Sequence, residues 1–444
     1  MRISAHTLGC KLNSAETSTI VEQFRSRGWE LAAGENADVF LLNTCSVTAN
    51  AERECRQVVR RVLRENPNTF IAVTGCYAQL RPEEIASIEG VDVVLGAKEK
   101  FSIFDHVPSF TKFDAPQIYS SPIEEALEYH LAATADKEER SRSFLKVQDG
   151  CDYTCSYCTI PMARGESRSA EIAQVLTEAI RLSRDGFKEI VLSGVNVGDF
   201  GVKTGTSFYE LLLALEACED VTARIRISSI EPNLLTDEII ALVAGSDKFC
   251  PHFHIPLQSG SAKILRLMQR RYTKELYRSR IEAVKRAMPH AGIGVDVIVG
   301  FPGETDEEFR ECYDFIHSLD ISYLHVFTYS ERPGTKAVGM KERVEKGSRK
   351  ERNEMLRILS EKKRQEFYRA RLGSEAIVLL EHSSDGKQQG FTENYVRVEL
   401  CEPVDPSAVL VRVRLDECNG EDVVAMPIEV LSHQESLLLL PILL

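Results

Sequence analysis

No apolar core follows the first residues, Met1-Arg2-Ile3-Ser4-Ala5-His6, so nothing there predicts export. A membrane span is missing too. The longest purely apolar run, Leu437 to Leu444, is 8 residues broken by Pro441, against the roughly 20 that a crossing helix needs. A cytoplasmic protein with no membrane partner is therefore expected. The bias of a disordered or fibrous chain is also absent: of 444 residues, 43% are hydrophobic and 27% charged, ordinary values for a folded protein. That length predicts two or three domains. The net charge of −13, taken globally, argues against a nucleic-acid partner, yet residues 341–373 carry 12 Lys and Arg against 6 Glu. Such a stretch can be an RNA footprint. On charge alone, a solvated helix face laced with i,i+4 pairs is the better reading.

Hydrophobic periodicity divides the chain into regions. Residues 1–115 alternate short apolar runs (Arg2–His6, Val39–Asn43, Ala72–Thr74, Val91–Leu95) with amphipathic stretches, which predicts an open parallel α/β sheet. Residues 116–140 read as a linker. Residues 141–370 repeat the alternation with six predicted strands, Phe144–Val147, Glu189–Leu192, Arg224–Ser228, His252–Ile255, Gly294–Val299 and Leu324–Thr328, and end in a basic helix. Six βα units fit a partial (β/α)6 barrel better than a full eight-fold one. In residues 371–436 the β runs Ala376–Glu381, Tyr395–Leu400, Val409–Leu415 and Val423–Met426 are separated by Gly, Asn and Asp, which predicts a small all-β barrel. Residues 437–444 form an apolar tail.

Twelve cysteines in a reducing compartment point to metal ligands or catalysts rather than disulfides. The central signal is Cys151-Asp152-Tyr153-Thr154-Cys155-Ser156-Tyr157-Cys158, directly after the first barrel strand. Three thiolates at CxxxCxxC spacing can hold three corners of an iron–sulfur cube and leave the fourth iron without a local cysteine. A structural zinc site would need a fourth Cys or His nearby, and none follows. Three further cysteines, Cys10, Cys45 and Cys76, each follow a predicted strand of the first region. An open parallel sheet binds ligands outside the carboxyl ends of its strands, so these three belong at one rim, with Gly9 and Gly75 leaving room for close approach. Cys55, Cys218, Cys250, Cys312, Cys401 and Cys418 have no matched spacing and read as small hydrophobes.

The CxxxCxxC loop resembles that of the radical S-adenosylmethionine enzymes. Taken with the N-terminal three-cysteine region and the C-terminal β region, it resembles the methylthiotransferase family over nearly the whole chain. That resemblance implies two [4Fe-4S] clusters, one on Cys151, Cys155 and Cys158 and an auxiliary one on Cys10, Cys45 and Cys76, all six cysteines being catalytic. It implies S-adenosylmethionine as a further cofactor, one molecule methylating a sulfur on the auxiliary cluster and a second yielding a 5′-deoxyadenosyl radical. It also implies that the C-terminal domain is an RNA-binding TRAM barrel, which raises the RNA reading of the basic helix. The chemistry suits the architecture. Replacing an unactivated C–H by S–CH3 offers no acidic proton to a general base, so a cofactor must carry the hydrogen abstraction.

By the same resemblance, Ser193, Gly194 and Asn196 occupy the turn that holds the methionine amine. Ser229, Glu231, Gln258 and Asp296 sit at or near the carboxyl ends of the next strands, where barrel enzymes place their chemistry. Arg164 and Arg168 read equally as partners of the cofactor carboxylate and as surface arginines. The implied partners are a tRNA anticodon stem-loop, an electron donor and a sulfur source, with the chain working as a monomer. Branches of the family act on tRNA adenosines carrying an isopentenyl or a threonylcarbamoyl group, or on an aspartate of a ribosomal protein. Lys11-Leu12-Asn13 after the first cysteine, and Gly390-Phe391-Thr392-Glu393-Asn394-Tyr395, resemble the threonylcarbamoyl branch. A competing class, an RNA-binding module with structural metal and no turnover, is disfavoured by the polar barrel rim and the missing fourth ligand.

Overall fold

The computed structural model describes residues 1–32, 34, 36–45, 49–134, 141–381 and 386–431. The tail 437–444 and the end of the expected linker, 135–140, lie outside them. The N-terminal part is a sheet of six parallel strands: β1 (Arg2–Thr7), β2 (Glu30–Leu31), β3 (Val39–Thr44), β4 (Phe70–Gly75), β5 (Val93–Leu95) and β6 (Gln117–Tyr119), in the order β2-β1-β3-β4-β5-β6. β3 (VFLLNT) and β4 (FIAVTG) are buried throughout, as parallel strands covered by helices on both faces must be.

The central part begins with β7 (Ala132–Ala133), antiparallel to β8 (Arg142–Lys146). A short antiparallel pair, β9 (Gln148–Asp149) and β10 (Arg168–Ser169), flanks the cysteine loop. Parallel strands β11 (Glu189–Ser193) and β12 (Arg224–Ile227) extend the sheet from β8. Strands β13 (His252–His254), β14 (Gly292–Val299) and β15 (Tyr323–Thr328) form the other half. Single bridges, Ile225 to Phe249 and Ser229 to His254, join the halves. The result is the expected six-stranded partial barrel. Its helices start where the sequence caps them: Thr305 and Glu308 form a reciprocal capping box at Asp306–His317, and Glu171 and Gln174 do so at Ile172–Arg184.

The C-terminal part is a closed barrel of β16 (Glu375–Glu381), β17 (Gln389–Thr392), β18 (Arg397–Leu400), β19 (Leu410–Cys418) and β20 (Val423–Val430). β17 was not expected. It is four residues long and includes Gly390, where a Cβ would lie 2.1 Å from the Leu379 carbonyl oxygen.

Two expectations need correction. The supposed linker supplies β6 to the first sheet and β7 to the barrel, strands of three and two residues that are too short to show a period. The basic helix, Lys346–Arg369, is in large part structural. It lies over β15, with Ser360 Oγ accepting from Leu324 N at 2.8 Å. Arg352 binds Glu304 and Asp306, Arg349 binds Glu331, and Lys363 donates to the carbonyls of His317 and Leu319. Among the described residues, no helix is long and apolar enough to cross a membrane.

Candidate active site

The order of the first sheet reverses between β1 and β3, the point at which an open sheet parts its loops and binds ligands. Register brings the cysteines there. Thr7 pairs with Asn43, and Thr44 pairs with Gly75, so β1, β3 and β4 end level and release Cys10, Cys45 and Cys76 at one edge. Asn13, fully buried in the helix Lys11–Arg25, ties two of these loops: its Nδ2 donates to the carbonyls of Leu8 and Thr44, both at 3.0 Å. Thr44 ties the third, its Oγ1 donating to Thr74 O at 2.6 Å and accepting from Ala78 N at 3.3 Å. Gly75, at φ +101, is required: a Cβ there would lie 2.3 Å from Thr44 O. A Cβ on Gly9 would stand 3.0 Å from the Cys45 sulfur.

Cys151, Cys155 and Cys158 form a loop at the mouth of the barrel, and its amides face sulfur. Tyr153 N donates to Cys151 Sγ at 3.4 Å and Ile160 N to Cys158 Sγ at 3.5 Å. Arg270 donates to Cys155 Sγ at 3.2 Å, and its other nitrogen is paired with buried Glu231. Burial pushes the Cys151 thiol up to about 12 and Cys158 to about 11. It also raises Cys155 and Cys76, against which Arg270 and Arg164 respectively pull. Thiols this reluctant to ionise stay protonated at neutral pH until a soft metal displaces the proton. Two sets of three thiols, with sulfur-directed amides and glycine-cleared approaches, fit iron–sulfur clusters with one open iron each.

A buried ion lattice joins the two sites. The helix Ile160–Arg164 follows Cys158 and delivers the Arg164 guanidinium to Asn13 Oδ1 at 2.5 Å, Asp149 at 2.9 Å and Glu16 at 3.0 Å. Glu16 also binds Lys100 at 2.8 Å and Lys146 at 3.0 Å. Burial would raise the Glu16 carboxyl, but Arg164, Lys100 and Lys146 hold it far below the usual range. With Arg168 on Asp149 at 3.4 Å, four cations face two carboxylates beside Cys10 and Cys76.

The N-terminal region, residues 2–96, matches an uncharacterised protein family, UPF0004, and residues 145–316 match the radical SAM superfamily. The chain is 39% identical over 421 residues, 93% of either chain, to the threonylcarbamoyladenosine tRNA methylthiotransferase MtaB of Bacillus subtilis. To the protein of the same name from Aquifex aeolicus it is 37% identical over 90% of this chain and 96% of that one. The chain belongs to the methylthiotransferase family. Relatives named tRNA-2-methylthio-N(6)-dimethylallyladenosine synthase match at 30 to 32%. The fold is also that of a radical S-adenosylmethionine methyltransferase, TsrM of Kitasatospora setae, with a TM-score of 0.58 and 14% identity over 76% of this chain and 75% of that one.

Members of this family use S-adenosylmethionine and [4Fe-4S] clusters, and the residues expected to face the cofactor divide into groups. Ser193, Gly194, Ser229 and Asp296 line a cavity of about 750 Å³ together with Cys10 and Lys11. Asp296 is paired there with His254 at 3.0 Å, beside His325. Lys11 is exposed to solvent and opens onto this cavity; partial desolvation by the protein around it, with Arg226 and Arg142 nearby, lowers its ammonium to about 8. Asn196 and Glu231 lie nearer the cysteine loop: Asn196 accepts from Glu231 N at 3.2 Å and donates to Asp199 at 2.9 Å. Gln258, at φ +66, is held by its backbone to β14. Arg164 and Arg168 overturn their expectation. Arg164 turns to the N-terminal cysteines and spends its donors on Glu16, Asp149 and Asn13. Arg168 spends its own on the carbonyls of Glu128, Arg164 and Glu166 and on Asp149. Neither is left for a cofactor carboxylate.

Three residues were missed. Arg270 contacts a cysteine 115 residues away in sequence, so spacing gives no hint of it. Lys100 closes the ion lattice from a short helical turn. Glu189 binds Arg142, Arg224 and Arg226 at once, and its only signal was a carboxylate opening an otherwise apolar strand. Among the cysteines without matched spacing, Cys55, Cys250 and Cys312 are buried as expected, whereas Cys401 is exposed and Cys218 and Cys418 are partly so.

Proposed function

We propose that this protein is the tRNA methylthiotransferase that replaces the C2 hydrogen of N6-threonylcarbamoyladenosine, next to the anticodon, by a methylthio group. The observation that carries the reading is the pair of three-thiol sites, one at the barrel mouth and one at the switch point of the first sheet, linked through Arg164 and Asn13. The similarity to the MtaB proteins supports the choice of substrate. In this reading Cys151, Cys155 and Cys158 hold one cluster and Cys10, Cys45 and Cys76 the other. When bound, the clusters and S-adenosylmethionine supply a radical for hydrogen abstraction and the sulfur and methyl group for transfer. The chain's own residues do the rest. Arg270 donates to Cys155 and holds Glu231; the lattice around Arg164 fixes one site against the other; the cavity beside Cys10 receives the base and screens it from bulk water.

Residues 1–115 with β6 form the sulfur-carrying domain, residues 141–370 with β7 the radical domain, and the closed barrel the TRAM domain that holds RNA. A tRNA anticodon stem-loop, an electron donor and a sulfur source are the partners, and the protein works as a cytoplasmic monomer. Mass spectrometry of tRNA nucleosides from a strain lacking the gene tests the substrate: the methylthio group should vanish from threonylcarbamoyladenosine, and its loss from isopentenyladenosine alone would overturn the choice. In the reconstituted enzyme, Cys151→Ala should abolish cofactor cleavage. Cys10→Ala should retain cleavage and make no methylthio product, and product at the wild-type rate would refute the division of labour.

A further inference from the structure

The cavity beside Cys10 is bounded by all three parts of the chain, with Lys11 from the first, Arg142, Phe144 and Arg226 from the second and Tyr395 from the third. Its cations are not equivalent. Arg226 is held by Glu189 at 2.8 Å, and Arg142 by Glu381 at 2.7 Å. Lys11 has no such partner: among the described residues, no carboxylate pairs with its ammonium and no acceptor takes a hydrogen bond from it. The Phe144 ring lies 5.9 Å from Nζ. Lys11 is exposed and lines the cavity wall, so its ammonium is available to an anionic group that enters, and such a charge-assisted hydrogen bond is among the stronger polar contacts.

We propose that Lys11 heads a carboxylate-binding subsite, and that its ligand is the α-carboxylate of the threonyl group on N6 of the target adenosine; this rests on the substrate reading above. C2 and N6 share the Watson–Crick edge of the purine. If sulfur reaches C2 from the site that includes Cys10, the N6 substituent must lie close by, and Lys11 is the next residue in the chain. The same lysine rejects an isopentenyl group, which would bury the ammonium and leave it unpaired. S-adenosylmethionine also carries a carboxylate, and Ser193 and Gly194 line this cavity together with Cys10, so the test below separates the two ligands.

The test uses the reconstituted holoenzyme and two anticodon stem-loops, one with threonylcarbamoyladenosine and one with its threonyl methyl ester. Wild type should favour the free acid in kcat/KM by about 10- to 100-fold, the range of a charge-assisted hydrogen bond. Lys11→Met should abolish the preference, and Lys11→Arg should keep most of it. Equal use of acid and ester by wild type would overturn the proposal whether or not the variants fold. So would a Lys11→Met enzyme slowed equally on both, or one with a raised KM for S-adenosylmethionine and its preference intact, which would give the lysine to the cofactor. Wild type that cleaves S-adenosylmethionine yet modifies neither stem-loop would instead overturn the substrate reading beneath it.

Discussion

Replacing Asn13 by alanine removes four hydrogen bonds at once from the point where the N-terminal cysteine loops meet the barrel. Two are donated to the carbonyls of Leu8 and Thr44, one is accepted from Arg164, and a weak one is accepted from the Cys10 thiol at 3.8 Å. The neutral pair contributes about 1 kcal/mol each and the charge-assisted bond about 2 kcal/mol, and no bulk water reaches this buried residue to replace them. The expected loss is therefore about 4 kcal/mol, a large share of the 5–15 kcal/mol typical of a whole domain. It should be felt first at the N-terminal sheet. The assay is anaerobic denaturant unfolding with iron counted per polypeptide in a Cys151→Ala background, which isolates the N-terminal site. Asn13→Ala should lose most of that iron and shift the midpoint, while in the otherwise native chain it still cleaves S-adenosylmethionine. Asn13→Asp keeps an acceptor for Arg164 but loses both donors, and should fall between. Iron content and stability within about 0.5 kcal/mol of the parent would refute the claim that Asn13 holds the loops together.

Two further outcomes follow from the charge pairs. Arg270→Gln should lower the reduction potential of the barrel cluster, because the lost N–H···S bond favours the more negative, reduced state; a contribution of about 1.4 kcal/mol is about 60 mV for one electron, read by potentiometric EPR, and an unchanged potential would refute it. For Glu189, burial acts to raise the carboxyl, but Arg226, Arg224 and Arg142 overcome it and hold it well below its ordinary 4.5. A depressed folded value means that this stabilisation is complete above 4.5 and fades only as pH falls through the lower value. Glu189→Gln should therefore cost about 3–5 kcal/mol at neutral pH by leaving Arg224 and Arg226 without a carboxylate, and should flatten the acid limb of the unfolding curve below pH 4.5. A variant whose acid limb matches wild type would refute it.

The sequence made the strand ends legible because apolar runs such as Val39–Asn43 stop at a polar residue just before each cysteine, and parallel topology fixes where those ends lie. It could not say which way Arg164 points. A residue at the end of a five-residue helix is near the cysteine loop in sequence, yet its side chain crosses to another domain. Short strands escaped for a related reason: Ala132–Ala133 and Gln389–Thr392 have no room for a period of two, and each exists because a long neighbour offers it an edge. Arg270 and Lys100 acquire their roles only from folding, which brings them to Cys155 and Glu16.

The Ile160–Arg164 helix works as a spacer of fixed length. It starts two residues after Cys158 and ends in the guanidinium that grips Asn13, so the gap between the sulfur-bearing sites cannot widen without pulling buried charges apart. Such charges are hardly screened by salt. The enzyme behaves as a rigid jig, and the moving part is the RNA: the adenosine must leave its stack in the anticodon loop to enter the gap. Turnover should then track how readily that loop releases its base, and helices that hold the base stacked should escape modification.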